Sequence, residues 1–380
     1  MSAVEEAAGL YVHAPFCARA CPYCDFDFVV GRAEHLGARI EAWLQQLERE
    51  LARELDAGWG PFDTFYVGGG TPSLLPPAQL RRLFEQLEPA RGQLRECSVE
   101  LNPEHCDAQR LDCLVDSGVD RVSLGVQSLD PRGLAQLGRV HSREQALDAI
   151  ARAHGRGLRV SADLILGWPG QDEAGLEREL EAYVEAGVGH ISVYALTIEE
   201  ATPWPKLVRR GLRVLPDEDV QGQLLERCAA RLEGLGYVHY EVASYARPGE
   251  EAVHNGKYWR WVDVLGLGPS AASVRHSSAG LERRVNPRGL DSWLADEAPS
   301  VERLEREGAA GEGLWLGLRR LDGVEISAFF ARFGVDERWL EARIERQLQL
   351  GNLALDASGG RLAVAPGRWL WHDAIAVDLV

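Results

Sequence analysis

Between Leu10 and about Thr197, short β-like runs alternate with amphipathic helical stretches. That alternation is the signature of repeated βα units laid on a parallel sheet. Six such units are predicted. Their strands fall at Leu10–His13, Thr64–Val67, Ser98–Leu101, Arg121–Val126, Val160–Leu166 and His190–Leu196. The helices read at Arg39–Leu55, Gln79–Leu87, Ala108–Ser117, Arg143–His154 and Ala174–Ala186, most of them closed by a glycine at or near the C-terminus. Six units are fewer than the eight that close a full barrel, so the predicted α/β fold is a partial (β/α)6, TIM-like barrel. The unusual residues of the chain lie mostly at the C-terminal ends of these strands, where barrels build their sites.

Past the barrel, Asp217–Leu235 is predicted as one more helix and Tyr237–Tyr245 as a strand. After about Ser300 the pattern changes. Val324–Phe333 and Glu337–Leu350 read as two helices, and Leu353–Asp356 and Arg361–Ala365 as a hairpin joined at Ser358-Gly359-Gly360. Helices followed by a hairpin predict a smaller winged-helix-like C-terminal domain. The expected division is 1–236 for the barrel, 237–300 for a connecting segment and 301–380 for this last domain.

Three cysteines, Cys17, Cys21 and Cys24, follow the first strand directly at C-x3-C-x2-C spacing. A [4Fe–4S] cube normally takes four thiolates, one per iron. The next cysteine is Cys97, so three ligands here would leave one iron open to a small molecule, as catalytic metal sites leave a position free. A zinc site would pair such a trio with a distant C-x2-C or His pair, and none stands out among Cys97, Cys106, Cys113 and Cys228. Buried, unligated thiols would account for those four but not for three in eight positions.

Tyr11-Val12-His13-Ala14-Pro15-Phe16-Cys17, with an aromatic before the third cysteine, resembles the radical S-adenosylmethionine (SAM) superfamily, in its oxygen-independent coproporphyrinogen III oxidase-like branch. Within that branch the ending Cys24-Asp25-Phe26 is similar to the HemW-type haem chaperones, whereas the coproporphyrinogen dehydrogenases carry a further Cys where Phe26 stands. The resemblance implies the same partial barrel, a [4Fe–4S] cluster and SAM. It also assigns residues.

Gly68-Gly69-Gly70-Thr71 looks like the element that holds the methionine end of SAM, with Gly69, Gly70 and Thr71 in contact; a tight βα turn is the alternative. Tyr11 and Tyr23 resemble the family's aromatic and backbone contacts. Glu100 ends the third strand, where a carboxylate can accept from ribose hydroxyls. Gln127, Arg139 and Asp163 match the remaining cofactor contacts, Arg139 through its planar fork, although a buried Arg139–Asp163 salt bridge would explain those two equally. Ala195 occupies a backbone-contact position where a small side chain lets adenine lie close.

A second stretch, His254-Asn255-Gly256-Lys257-Tyr258-Trp259, sets a histidine beside an aromatic pair, able in principle to ligate iron and wall a porphyrin, or simply to pack a capped loop. The string is similar to the family's haem-associated motif, which makes His254, Tyr258 and Trp259 haem candidates. Two departures stand out: Ala272 replaces the family's usual histidine, and Glu199-Glu200 precede Ala201-Thr202 where Pro-Gly is more common.

Composition narrows the partners. At 380 residues and 46% hydrophobic content the chain can bury a large core, and its net charge of −17 disfavours nucleic-acid backbones. The N-terminus shows no basic region followed by an apolar stretch, and no run of about eighteen apolar residues offers a membrane span. Seven cysteines, three of them clustered, favour a reducing cytoplasm over a disulfide framework. The expected function is therefore a haem chaperone that hands haem to apo-haemoproteins, respiratory ones among them, with a flavodoxin or ferredoxin as electron donor. The alternative is a radical SAM enzyme that oxidises or methylates a tetrapyrrole or another substrate. A zinc scaffold ranks last, since it leaves Glu100, Gln127 and Asp163 on successive strands without a reason.

Overall fold

A computed structural model describes residues 6–379. Among them a 12-stranded mixed sheet forms the body of the molecule. Its strands are β1 (Gly9–Ala14), β2 (Phe62–Gly69), β3 (Arg91–Leu101), β4 (Arg121–Gln127), β5 (Arg159–Leu166), β6 (His190–Ala195), β7 (Val238–Glu241), β8 (Ser244–Ala246), β9 (Val264–Leu267), β10 (Ala272–Ser277), β11 (Gly280–Val285) and β12 (Ser300–Glu305). They run β12-β11-β10-β9-β1-β2-β3-β4-β5-β6-β8-β7 across the sheet, which is curved but not closed. Strands β1 to β6 are parallel neighbours in chain order, as the six predicted units require.

The sequence pattern did not contain one part of this arrangement. Val264–Leu267 joins the far side of β1 as a seventh parallel strand, and antiparallel β10 to β12 extend that edge. The single strand expected at Tyr237–Tyr245 is instead the antiparallel pair β7 and β8 on the opposite edge. The segment after residue 236 thus supplies both flanks of the sheet, which continues to Glu305.

Helices α1 (Ala33–Asp56), α2 (Pro77–Leu87), α3 (Ala108–Asp116), α4 (Arg143–His154), α5 (Glu173–Glu185) and α6 (Glu218–Gly234) cover the outer face. Their starts are chemically marked: Asp107, Asp172 and Asp217 each accept from a first-turn backbone N–H, and Ser142 with Gln145 forms a capping box. Their apolar stripes and the sheet share one continuous core. Trp43 of α1 meets Phe16 edge-on at 5.8 Å between ring centroids, and both are fully buried. Phe16 directly precedes Cys17, so this contact ties the start of the cysteine loop to the core.

Helices α8 (Arg306–Gly317), α9 (Ile326–Phe333) and α10 (Glu337–Gln349), with the final helix α11 (His372–Val377), enclose a second apolar cluster. A three-stranded sheet of Val324–Glu325, Arg361–Val364 and Leu353–Leu355 completes it, giving the expected helix-and-hairpin module. Between body and module lies α7 (Val253–Trp259). Among the described residues no helix is long and apolar enough to cross a membrane.

Replacing Trp43 by alanine removes a fully buried indole and is expected to cost about 3–5 kcal/mol. Urea denaturation should show this as a lowered midpoint; an unchanged midpoint would mean that the α1 contact does not hold the loop.

Candidate active site

The C-terminal ends of the parallel strands open on a cavity of about 420 Å³. Cys17, Cys21 and Cys24 line one side of it, and Gly69, Gly70 and Thr71 lie next to them. Glu100, Gln127, Asp163 and Ala195 contribute from successive strand ends, with Tyr23 and Arg139 on the rim of the cysteine loop. Of the residues expected to contact SAM, Tyr11 alone lies outside the lining. It sits one layer below, stacked on Tyr66 at 6.1 Å and bonded through its hydroxyl to His13 Nδ1.

Backbone contacts shape the loop. Val29 N–H donates to Pro15 O, Gly31 N–H to Cys17 O, Thr71 N–H to Phe16 O, and Trp204 N–H to Pro22 O. Gly70 N–H donates to Ala14 O, and a Cβ at residue 70 would stand 2.9 Å from the Ala14 and Phe16 backbone. Gly69 has φ 105°, and a Cβ there would press into the His13 ring at 2.6 Å. The glycines are thus required by close approach of two strands' ends.

Cys17 Sγ lies 3.4 Å from Thr71 Oγ1. Burial pushes the Cys17 thiol up to about 12, against the opposing pull of the Thr71 hydrogen bond, and it raises Cys24 as well. Thiols in such surroundings ionise only when a metal takes the charge. Among the described residues no three His, Cys, Asp or Glu side chains converge on a point able to hold one metal ion. A cubane makes a different demand, since its thiolates bind one iron each and stand apart. The other four cysteines are buried elsewhere and do not line the cavity.

Arg139 does not pair with Asp163. Its guanidinium donates to Asn102 Oδ1 at 2.6 Å, to Gly125 O at 2.8 Å and to Cys21 Sγ at 3.6 Å. The salt-bridge alternative therefore has no ion pair behind it, and Asn102, which the sequence did not single out, emerges as the residue that aims this arginine. Tyr66 is a second omission: its hydroxyl donates to Glu100 Oε1 at 2.8 Å while Gly69 N–H donates to Oε2 at 3.1 Å, so both carboxylate oxygens are fixed. Nothing in the spacing of Tyr66 distinguished it from an ordinary core tyrosine. Gln127 adopts φ 67°, a left-handed backbone uncommon outside glycine and typical of strain held at functional positions.

Burial raises both strand-end acids. Glu100 is pushed up to about 7, with the Asp163 charge adding to the effect and the Tyr66 and Gly69 hydrogen bonds opposing it. Asp163 rises to about 6, also through burial, opposed by the Ser192 hydrogen bond, the Arg139 charge and the Ser123 hydrogen bond.

His254, Tyr258 and Trp259 are not brought to this cavity. His254 is 1% exposed at the N-terminal ends of the strands, its Nδ1 bonded to Thr64 Oγ1 at 2.9 Å and its Nε2 to Tyr258 Oη at 3.3 Å. Its ring stacks on Tyr66 at 5.3 Å, and burial, with the nearby Lys257 charge, pushes its pKa down to about 3. Both nitrogens of this imidazole are engaged within the barrel floor. Trp259 is half-buried with the Arg319 guanidinium 4.5 Å over its ring.

A sequence model of the Radical SAM superfamily matches residues 11–183. Along 384 aligned residues the chain is 37% identical to the haem chaperone HemW of Mycobacterium tuberculosis, covering 98% of this chain and 94% of that protein. It is 30% identical over 342 residues to HemW of Bacillus subtilis, covering 85% and 86% of the two chains. In fold it is similar to the coproporphyrinogen III oxidase HemN of Escherichia coli, a radical SAM enzyme, with a TM-score of 0.81 over 99% of this chain and 90% of that one at 22% identity. The chain belongs to the HemW haem chaperone family of the radical SAM superfamily.

The raised acids set a pH dependence. An acid whose folded pKa lies above its unfolded value contributes stability below the unfolded value and loses it as pH rises through the folded one. For Glu100 that loss runs from pH 4.5 to about 7. Glu100→Gln should consequently raise the melting temperature more at pH 8 than at pH 5; an equal or reversed shift would contradict the buried, proton-holding carboxylate.

Proposed function

We propose that this chain is a haem chaperone that holds a [4Fe–4S] cluster on Cys17, Cys21 and Cys24, binds SAM across the strand ends above them, and passes haem to acceptor proteins. The observation that carries the reading is kinship to HemW chaperones along nearly the whole chain, joined to one cavity that admits three cysteines and the strand-end polar residues together. The donor set suits the cluster: three thiols share the cavity, and no fourth cysteine enters it. An iron without a protein ligand would accept a small chelating molecule, and the reduced cluster would supply an electron to it.

The protein's own residues would orient and shield. Gly69 and Gly70 leave main chain bare beside the cluster loop. Glu100, already oriented by Tyr66 and Gly69, is a carboxylate for ribose hydroxyls, and Ala195 leaves room for a flat base. Arg139 presents a fixed guanidinium beside Cys21, stabilising thiolate charge on that side.

Phe26 supports the chaperone over the tetrapyrrole oxidase. It is 62% exposed and lines the cavity mouth, where a further cysteine would otherwise bring a reactive thiol. Haem-accepting proteins, including respiratory ones, and a flavodoxin- or ferredoxin-type reductant would be the partners in a reducing compartment.

Cys17→Ala, Cys21→Ala and Cys24→Ala should each lose most of the iron and sulfide after anaerobic reconstitution. Parent-like content in any one of them would remove that residue from the ligand set. Titration of the reconstituted parent with haem should give saturable binding near one per chain. No saturable binding would overturn the chaperone reading, and 5′-deoxyadenosine formation accelerated by a tetrapyrrole would favour the enzymatic one.

A further inference from the structure

The molecule has a second, larger cavity of about 880 Å³, at the N-terminal face of the barrel. It lies where the loops before β1 and β2 meet β10 and the C-terminal module, and its volume falls in the range of small-molecule sites. Its chemistry is unlike that of the rest of the protein. Five arginines line it, Arg260, Arg275, Arg320, Arg332 and Arg361, against three carboxylates, Glu6, Asp263 and Glu325. In a chain of net charge −17 this is a local cationic chamber.

Four of these guanidiniums are spoken for. Arg260 pairs with Glu6 at 3.1 Å, Arg332 with Asp263 at 3.4 Å, and Arg320 and Arg361 share Asp322. Arg275 has no carboxylate partner among the described residues, and its guanidinium lies 4.1 Å over the Trp59 ring. Trp261, also in the lining, holds a left-handed backbone at φ 58° and is locked by Nε1 donating to Gly313 O at 2.6 Å and by Arg332 donating to its carbonyl at 2.7 Å.

His276 completes the set. Its Nδ1 lies 2.9 Å from Asp263 Oδ1, and its backbone N–H donates to the same oxygen at 3.0 Å. A carboxylate only accepts, so Nδ1 is the nitrogen that donates to Asp263, and Nε2 is the ring's remaining coordinating position. That nitrogen has no partner among the described residues and belongs to a ring lining the cavity. A histidine fixed by a carboxylate behind it and bare in front is how proteins present imidazole to a metal.

We propose that this second cavity is the haem site, with His276 Nε2 as the axial iron ligand, Asp263 as its positioning residue, the arginines as partners of the two propionates, Trp261 as an apolar wall and Trp59 as the ring that seats Arg275. The proposal rests on the haem chaperone reading and gives that cargo a place away from the cysteine cavity. It also gives the His254–Trp259 helix a part without iron ligation. That helix runs directly into Arg260, Trp261 and Asp263, so its seating on the barrel floor sets the position of the chamber's wall.

The test uses the full-length, cluster-reconstituted protein, haemin as probe, and the Soret band with resonance Raman as readouts. His276→Ala should weaken binding at least tenfold and lose the iron–imidazole signature, and added free imidazole should restore the spectrum. Arg275→Glu, on an exposed side chain, should weaken binding several-fold with the axial ligation unchanged. Urea midpoints and iron content equal to the parent's would show both variants folded. If the parent binds haem and both variants bind it with parent-like affinity and spectrum, the site is wrong while the chaperone reading stands; if the parent binds none, both fall.

Discussion

Close contact between the ends of β1 and β2 fixes everything at the first cavity. Ala14 aligns with Gly69 across the ladder, and the following Gly70 lies bare against the Ala14 and Phe16 backbone. Side chains at 69 and 70 would force the strands apart, and Cys17 would leave Thr71. The same junction is backed from behind by Trp43 on Phe16, so the cysteine loop is hung from the core on one side and from glycine main chain on the other. Its remaining length is clipped by carbonyl contacts at Pro15, Cys17 and Pro22. A loop of this length would not otherwise hold three sulfurs in a common frame.

Electrostatics follow from that geometry. The strand ends bury two acids, Glu100 and Asp163, in a cavity with a single fixed arginine turned toward Cys21. The acids answer by holding their protons more tightly than exposed carboxylates would. The buried thiols do likewise. Cationic groups entering the site would meet these two acids at the strand side, while Glu104, also in the lining, is held below the usual carboxylate range by the His141 hydrogen bond against its burial. At the barrel floor the balance is reversed: Lys257, fully buried, is neutralised by Asp63 at 2.7 Å and capped by Ala7 O.

The parallel core was legible because it obeys a simple period: six strands and the helices between them each announce themselves by apolar runs and closing glycines. The cavity residues were legible because the cysteines, Gly69, Glu100, Gln127 and Asp163 fall at strand ends. What escaped has physical causes. β9 is only four residues, Val264-Leu265-Gly266-Leu267, and reads as part of a glycine-rich loop. Helix α8 contains Gly308, Gly311, Gly313 and Gly317, which argue against a helix; two of them are fixed by packing, since a Cβ at 313 would stand 2.2 Å from the Phe333 ring and one at 317 2.6 Å from Val324. That His254 is seated on the barrel floor, with Thr64 and Tyr258 on its two nitrogens, could be seen only in the fold. His276 gave no signal, since its partner Asp263 lies thirteen residues away on the far side of a strand and a turn.

The stacked rings of His254, Tyr66 and Tyr11, with Glu100 above them, fill the middle of the curved sheet. A barrel interior packed in this way is a partition and not a conduit. The two chambers at its ends are consequently divided by this layer of side chains, and a pigment lodged on the arginine-lined side would face the sulfurs across stacked rings and not across open space.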